Sequence, residues 1–371
     1  MTETRTHVGP QSPTATPTRG LTPSLVVTPA VVAHRGASGH RPEHTLAAYR
    51  TAIRMGADDI ELDLVATRDG VLVARHDAEL SATTDVADRP DLAHRRTTRT
   101  IDGATQHGWF VQDLTLAEVK TLTARERMPL TRPHSALHDG AEGVPTFDEV
   151  LAMVGAESAR RGRTVGVMVE LKHAAHHDRI GLPLDDPLLR DLARHGLDHP
   201  WARVTLMAFE TAILRRLADR TRLPIVQLLD LPHQRPADLV EAGDPRTYGD
   251  LVTPAGLAGI DEYADGIGPH KSLVLPRDAD GRIGEPSTLV RDAHRAWLTV
   301  HAWTVRAENR FLPANLRLGT GPDAAGDMAA EVAALLDAGV DGVITDHPEL
   351  ALAVRRQSVA AGAGLLAAAG R

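Results

Sequence analysis

The sequence has no cysteine, so it can form neither a disulfide nor a thiolate nucleophile or metal ligand. That absence suits a cytosolic and an exported protein equally. There is no run of about 18 apolar residues, so no membrane-spanning helix is expected. Nor is there a surplus of positive charge. Against 41 Lys and Arg stand 49 Asp and Glu, a formal net charge of −8. Nothing is left over to neutralise a phosphate backbone, which argues against a general nucleic-acid binder. Lysine itself is scarce: Lys120, Lys172 and Lys271 are the whole complement. Genomic base composition accounts for the skew, yet a lysine kept in so arginine-rich a chain is a candidate for a specific role.

What is present is ordinary for a soluble globular protein, with 42% apolar residues. A length of 371 residues fits one α/β barrel with insertions. Residues 1–29, rich in Thr, Pro, Ser and Gly, hold no apolar stretch of the 7–15 residues or so that a secretory signal carries, and no twin-Arg pair before such a stretch. A disordered arm is expected there, together with a cytoplasmic location. A frayed Ala- and Gly-rich tail is expected over 358–371, leaving 30–357 as the folded domain.

Eight β-rich runs punctuate that domain: VVAHRG (31–36), DDIELDLV (58–65), TVGVMVELK (164–172), ARVTLMAF (202–209), PIVQLLD (224–230), ADGIGPH (264–270), WLTVHAWTV (297–305) and DGVITD (341–346). Helical patterns lie between most of them, over 45–55, 187–195, 211–220 and 328–338, with the weakest in the link 231–263. Alternation of this kind predicts a parallel sheet, and eight units favour a closed (β/α)8 TIM barrel over an open doubly wound sheet. A long stretch from about 77 to 144 after the second run is too long for a plain loop and predicts an inserted subdomain on the active-site side. A shorter excursion, 306–326, follows the seventh run.

Polar residues sit at the C-terminal ends of these runs, the face on which such barrels place their sites. His34 and Arg35 end the first and Glu61 and Asp63 lie in the second. Glu170 and Lys172 end the third, Trp303 is near the end of the seventh, and Thr345 and Asp346 end the eighth. Glu61 and Asp63, two apart on a strand, share a face. Side by side in a barrel they repel, and a cation relieves that, with Glu170 as third ligand. Three carboxylates and no cysteine favour Ca²⁺ or Mg²⁺ over zinc. A surface Glu-x-Asp pair is the plain alternative, which Glu-Leu-Lys at the next strand end weighs against. His34 and His76 each follow an apolar run and titrate near neutrality, so either can give or take a proton. Among nineteen histidines a surface or core role is the alternative for either alone. Arg35 offers a planar fork for phosphate oxygens or a rim ion pair with Glu43 or Asp346. Lys172 either binds phosphate or pairs with Glu170.

Taken together, these residues resemble the glycerophosphodiester phosphodiesterase family. HRGASGHRPEHTLAAYRTAIRMGADDIELDLVATRDGVLVARHD (34–77) is similar to its N-terminal signature at almost every position. VELK (169–172), DGIGPHKSLV (265–274), HAWTVR (301–306) and DGVITDHP (341–348) continue the match in order. The insertion and YGDLVTPAGLAGIDEYADGIGP look most like the larger bacterial branch, many of whose members are periplasmic. The resemblance implies that His34 and His76 form the acid/base pair, that Glu61, Asp63 and Glu170 bind a divalent cation, and that Arg35 and Lys172 hold phosphate. Glu43 becomes the Glu of the family's Pro-Glu-Asn-Thr turn. Here that turn reads PEHT, with His44, a titratable ring, where a neutral amide is usual.

The implied activity is metal-dependent hydrolysis of a small glycerophosphodiester to glycerol 3-phosphate and an alcohol. Related barrels acting on lysophospholipids or sphingomyelin need an apolar path for an acyl chain, and 77–144 shows no extended apolar segment. A catalytically silent binding barrel should have lost one of the acid/base or metal positions, and none is lost. An amidohydrolase barrel wants His-x-His on its first strand, where this chain has His-Arg-Gly.

Overall fold

The computed structural model describes residues 28–369, and side chains through 358; the expected N-terminal arm lies almost wholly outside them. Among the described residues eleven strands are formed: β1 (Ala30–Ala33), β2 (Asp59–Ala66), β3 (Leu72–Ala74), β4 (Thr97–Ile101), β5 (Ala104–Gly108), β6 (Gly166–Leu171), β7 (Val204–Ala208), β8 (Ile225–Leu229), β9 (Gly266–Pro269), β10 (Thr299–Val305) and β11 (Gly342–Thr345). Eight of them close a parallel barrel in the order β1-β2-β6-β7-β8-β9-β10-β11, with β11 pairing back onto β1. All eight expected runs supply a strand. β3 adds to the barrel as an antiparallel edge on β2.

Local chemistry starts and stops the helices where the sequence places them. Thr45 caps the helix Leu46–Met55 by accepting the Ala48 N–H, and Gly56 ends it in the left-handed region at φ 104°. Helices Asp185–Arg194, Thr211–Ala218 and Met328–Asp337 match the other expected patterns. The weak link before β9 resolves into three short helices, Ala237–Glu241, Tyr248–Leu251 and Pro254–Asp261. The final helix, Pro348–Ala369, runs through most of the Ala-rich stretch where fraying was expected; alanine has the highest intrinsic helix propensity.

Three apolar cores result. The largest lies between the barrel and its helices. A second fills the barrel with Val32, Met168, Met207, Val226, Leu228 and Ile344, inward-facing positions of the strands as barrel geometry requires. The third belongs to the insertion. After β3 the chain leaves the barrel and returns where Val73 bridges Thr146. In between, Leu80, Val86, Trp109, Phe110, Leu114 and Leu122 bury one another. Here β4 and β5 form an exposed hairpin turned by Asp102-Gly103, both in the left-handed region at φ 49° and 80°, the backbone that a two-residue Asp-Gly turn favours. The apolar pattern of the sequence does not predict this hairpin.

Candidate active site

The C-terminal end of the barrel opens into a cavity of about 550 Å³. Its wall includes His34, Arg35, Glu61, His76, Glu170, Lys172 and Trp303, so seven of the nine residues singled out from sequence meet there. Asp63 and Glu43 stand behind this wall, 1% and 7% exposed.

β1 delivers the first group. His34 continues its ladder, donating its N–H to Thr345 O. The chain then turns through Arg35 at φ 57° and Gly36 at φ 84°. A Cβ on Gly36 would stand 2.7 Å from the Ala48 backbone, so only glycine lets the turn pack on the following helix. The turn presents the Arg35 N–H to Glu61 Oε2 at 2.8 Å. The Arg35 guanidinium reaches Glu43 at 3.1 Å and lies 3.4 Å from Asp63, not near Asp346. Its Nε is buried without a hydrogen-bond partner.

β2 and β6 deliver the carboxylates. In register, Asp63 is opposite Glu170, with Glu61 two residues back, and their oxygens lie within 4.8 Å of one another. Burial, then the neighbouring Asp63 and Glu170 charges, pushes the Glu61 carboxyl well up. Burial raises Glu170 to about 8 against the opposing pull of Lys172. Burial acts on Asp63 too, but His76, Lys172, His44 and Arg35 around it hold its carboxyl well below the usual range. Asp63 Oδ1 is buried and makes no hydrogen bond. Two carboxyls of this oxygen cluster resist ionisation, the third is held as carboxylate, and one of its oxygens is unused, a donor set suited to a hard divalent cation. Lys172 lies 2.8 Å from Glu170 and 3.2 Å from His76 Nε2.

The two histidines are held alike. His34 Nδ1 is 2.6 Å from Asp346 Oδ1, and His76 Nδ1 is 2.6 Å from Asp77 Oδ1. Burial, then Arg35, lowers His34 to about 4 despite Asp346. Burial, then Arg35 and Lys172, lowers His76 to about 3. Each ring is therefore neutral near pH 7 and donates Nδ1–H to its aspartate; the Nε2 lone pair of His76 accepts from Lys172, while among the described residues no such contact is made by that of His34. Trp303 donates Nε1–H to Gly268 O at 2.6 Å and meets Phe209 edge-on, with ring centroids 5.4 Å apart. Phe209 in turn meets Tyr248.

Strand-end histidines, an arginine and carboxylates thus meet at one end of the barrel, and residues 34–350 match the glycerophosphoryl diester phosphodiesterase family. The chain belongs to that family. A glycerophosphodiester phosphodiesterase of Arabidopsis thaliana is 32% identical over 327 residues, covering 85% of this chain and 82% of that protein. One of Haemophilus influenzae is 28% identical over 350 residues, covering 86% and 87%. Among solved structures, an Oleispira antarctica phosphodiesterase in complex with its product sn-glycerol-3-phosphate shares the fold. Its TM-score is 0.57 at 19% identity, over 88% of this chain and 96% of that one.

Asp77 and Asp346 lie inside the matched motifs, but nothing in the sequence shows that each holds a histidine. Arg127 and Arg132 come from the insertion, outside every matched motif, and reach Asp77 and Asp346.

Proposed function

We propose that the chain hydrolyses glycerophosphodiesters, such as glycerophosphocholine or glycerophosphoethanolamine, to glycerol 3-phosphate and an alcohol. The observation that carries this reading is the pair His34 and His76, each bound to an aspartate through Nδ1, on a cavity wall shared with a buried carboxylate cluster. Glu61, Asp63 and Glu170 would hold Ca²⁺ or Mg²⁺, which when bound draws charge off the phosphoryl oxygens. Arg35, with an unpartnered buried Nε, and Lys172 would take phosphate oxygens. Glu43, whose oxygens are taken by Arg35 and Arg127, would fix Arg35 in place. Trp303 and Phe209 would give the substrate an apolar wall.

Hydrolysis forms one P–O bond to the attacking oxygen and breaks another to the alcohol. One histidine takes the attacker's proton on Nε2, and the other gives a proton to the departing alkoxide. Both rings are neutral at rest, so the donor first takes a proton from solvent on Nε2 as substrate binds, and the proton that the other ring removes from the attacker returns to solvent after turnover. The anionic diester favours the uptake by stabilising an imidazolium beside it.

The test is a product assay over a panel of glycerophosphodiesters and one lysophospholipid, each with Mg²⁺, Ca²⁺ or EDTA. Glycerol 3-phosphate should appear with metal and vanish on chelation, and Glu61→Gln should lose at least ~10²-fold. Full activity after exhaustive chelation, or turnover of the lysophospholipid alone, overturns the reading.

A further inference from the structure

The insertion sends two arginines, five residues apart, to the two aspartates that hold the cavity's histidines. Arg127 Nη1 donates to Asp77 Oδ2 at 2.6 Å, and Asp77 Oδ1 is the atom that faces His76 Nδ1 at 2.6 Å. Arg132 Nη2 donates to Asp346 Oδ2 at 2.6 Å, and Asp346 Oδ1 faces His34 Nδ1 at 2.6 Å. In both cases the aspartate gives one oxygen to a histidine and the other to an arginine of the insertion; Asp346 Oδ2 also accepts from Arg306 Nε at 2.8 Å, whereas among the described residues Arg127 alone holds Asp77 Oδ2. Each guanidinium is anchored on its far side by a glutamate that does not touch the histidine. Arg127 grips Glu43 through Nε and Nη2, both at 2.8 Å. Arg132 grips Glu308 through Nε at 2.6 Å and adds Nη1 to Ser38 O at 3.0 Å. One tight turn sets their spacing: Met128 O accepts the N–H groups of both Thr131 and Arg132.

We propose that Arg127 and Arg132 are positioning residues, each aiming one histidine of the cavity through the aspartate they share. The proposal rests on the reading of His34 and His76 as the proton-transfer pair. Its physical basis is rotational. A histidine's χ2 and an aspartate's χ2 are both broad torsions with no sharp preference. A carboxylate held only by an imidazole can swing with it, and one held at both oxygens cannot. A planar guanidinium forked between two carboxylates fixes the second oxygen in direction as well as distance. Two unrelated stretches of backbone, one beside β3 and one after β11, end in the same arrangement, and one loop supplies the arginine to both. The insertion therefore completes the geometry of proton transfer as well as lining the cavity with Asp102 and Gly103.

The test is a set of double-mutant cycles on the full chain with its metal. Arg132→Met and Arg127→Met are each made in wild type and in the background of their own histidine, His34→Ala and His76→Ala. Kinetics are read on glycerophosphocholine and on a p-nitrophenyl phosphodiester, whose leaving group needs no proton donor. Arg127→Met alone should lower kcat by about 10–100-fold with little change in KM, the range found when the partners that orient a functional side chain are removed; Arg132→Met, which leaves Arg306 on the same Asp346 oxygen, should fall at the lower end of that range. In the background of its own histidine variant the same change should cost less than about 3-fold. Each arginine variant should also follow its own histidine variant across the two substrates, so that one pair is rescued by the p-nitrophenyl diester and the other is not. If Arg132→Met unfolds the protein, Arg132→Lys, which keeps the charge and loses the fork, is read in the same cycle. Fully additive losses, or one substrate pattern for both arginines, overturn the proposal. Wild-type rates in the histidine variants themselves would instead overturn the proposed function.

Discussion

His44 sits at φ 55° with none of its surface exposed. The asparagine usual at this point of the family's turn suits that left-handed backbone, and histidine is among the few other side chains enriched there. The imidazole reaches two partners at once. Nε2 lies 2.8 Å from Asp63 Oδ2 and Nδ1 2.8 Å from the Tyr49 hydroxyl. Burial lowers its pKa, so the ring is neutral, gives its one proton to Asp63 and accepts the tyrosine's. The departure from the usual motif thus keeps a donor on Asp63 and adds a strut to the helix behind it. The sequence displays the odd residue but cannot say what it meets. His177 is a different case. Fully buried, it has no partner on either ring nitrogen, and burial, then His173 and His176, lowers it to about 3. Between that value and the ordinary 6.5 the unfolded chain binds a proton that the folded chain refuses, so the stability is present above about pH 6.5 and is lost as pH falls toward 3. At pH 5 the loss amounts to about 2 kcal/mol. His177→Leu should narrow the gap between urea midpoints at pH 7 and pH 5. An unchanged gap would mean that the ring finds a proton acceptor when charged.

Within the barrel, bulky residues on β10 face glycines on its neighbours. A Cβ on Gly342 of β11 would lie 2.5 Å from the His301 ring, and one on Gly266 of β9 would lie 2.3 Å from Thr299 Oγ1. β9 and β11 are thus trimmed to admit what β10 projects. Gly342→Ala should destabilise the fold by about 1–3 kcal/mol through overpacking, read as a lower urea midpoint at unchanged slope. A midpoint that does not move would show that His301 has room to yield. Much at this scale is legible in the sequence. The barrel strands are short, buried and flanked by turn signals, and their helices carry caps such as Thr45 and Gly56. The hairpin of β4 and β5 is hard to see there because most of its side chains face water, leaving no apolar rhythm, and only Asp102-Gly103 announces it. Arg127 and Arg132 are hidden for another reason. Their partners lie 50 and 214 residues away, a relation no local pattern carries.

The molecule as a whole is organised around a buried acidic cluster that Lys172 and Arg35 flank. Three buried carboxyls converge from β2 and β6, and two of them are pushed toward their neutral forms by burial. A divalent cation bound there stabilises the native state alone, by about 2.7 kcal/mol at a hundredfold excess over Kd. Ca²⁺ or Mg²⁺ should therefore raise the thermal midpoint of the wild type, EDTA should reverse the rise, and Glu61→Gln should abolish it. A midpoint indifferent to both ions would leave the cluster without a metal. Closure of the barrel is the other property that belongs to no single part. β1 and β11 are paired neighbours, so the ring of His34 is anchored by a residue 312 positions further along. During synthesis the histidine leaves the ribosome long before its anchor has been translated. A nascent chain, or one cut short by a premature stop, then carries His34 without Asp346 to orient it. The cell would gain the activity in one step, when the last strand slots in, and incomplete translation products would stay silent toward their substrate.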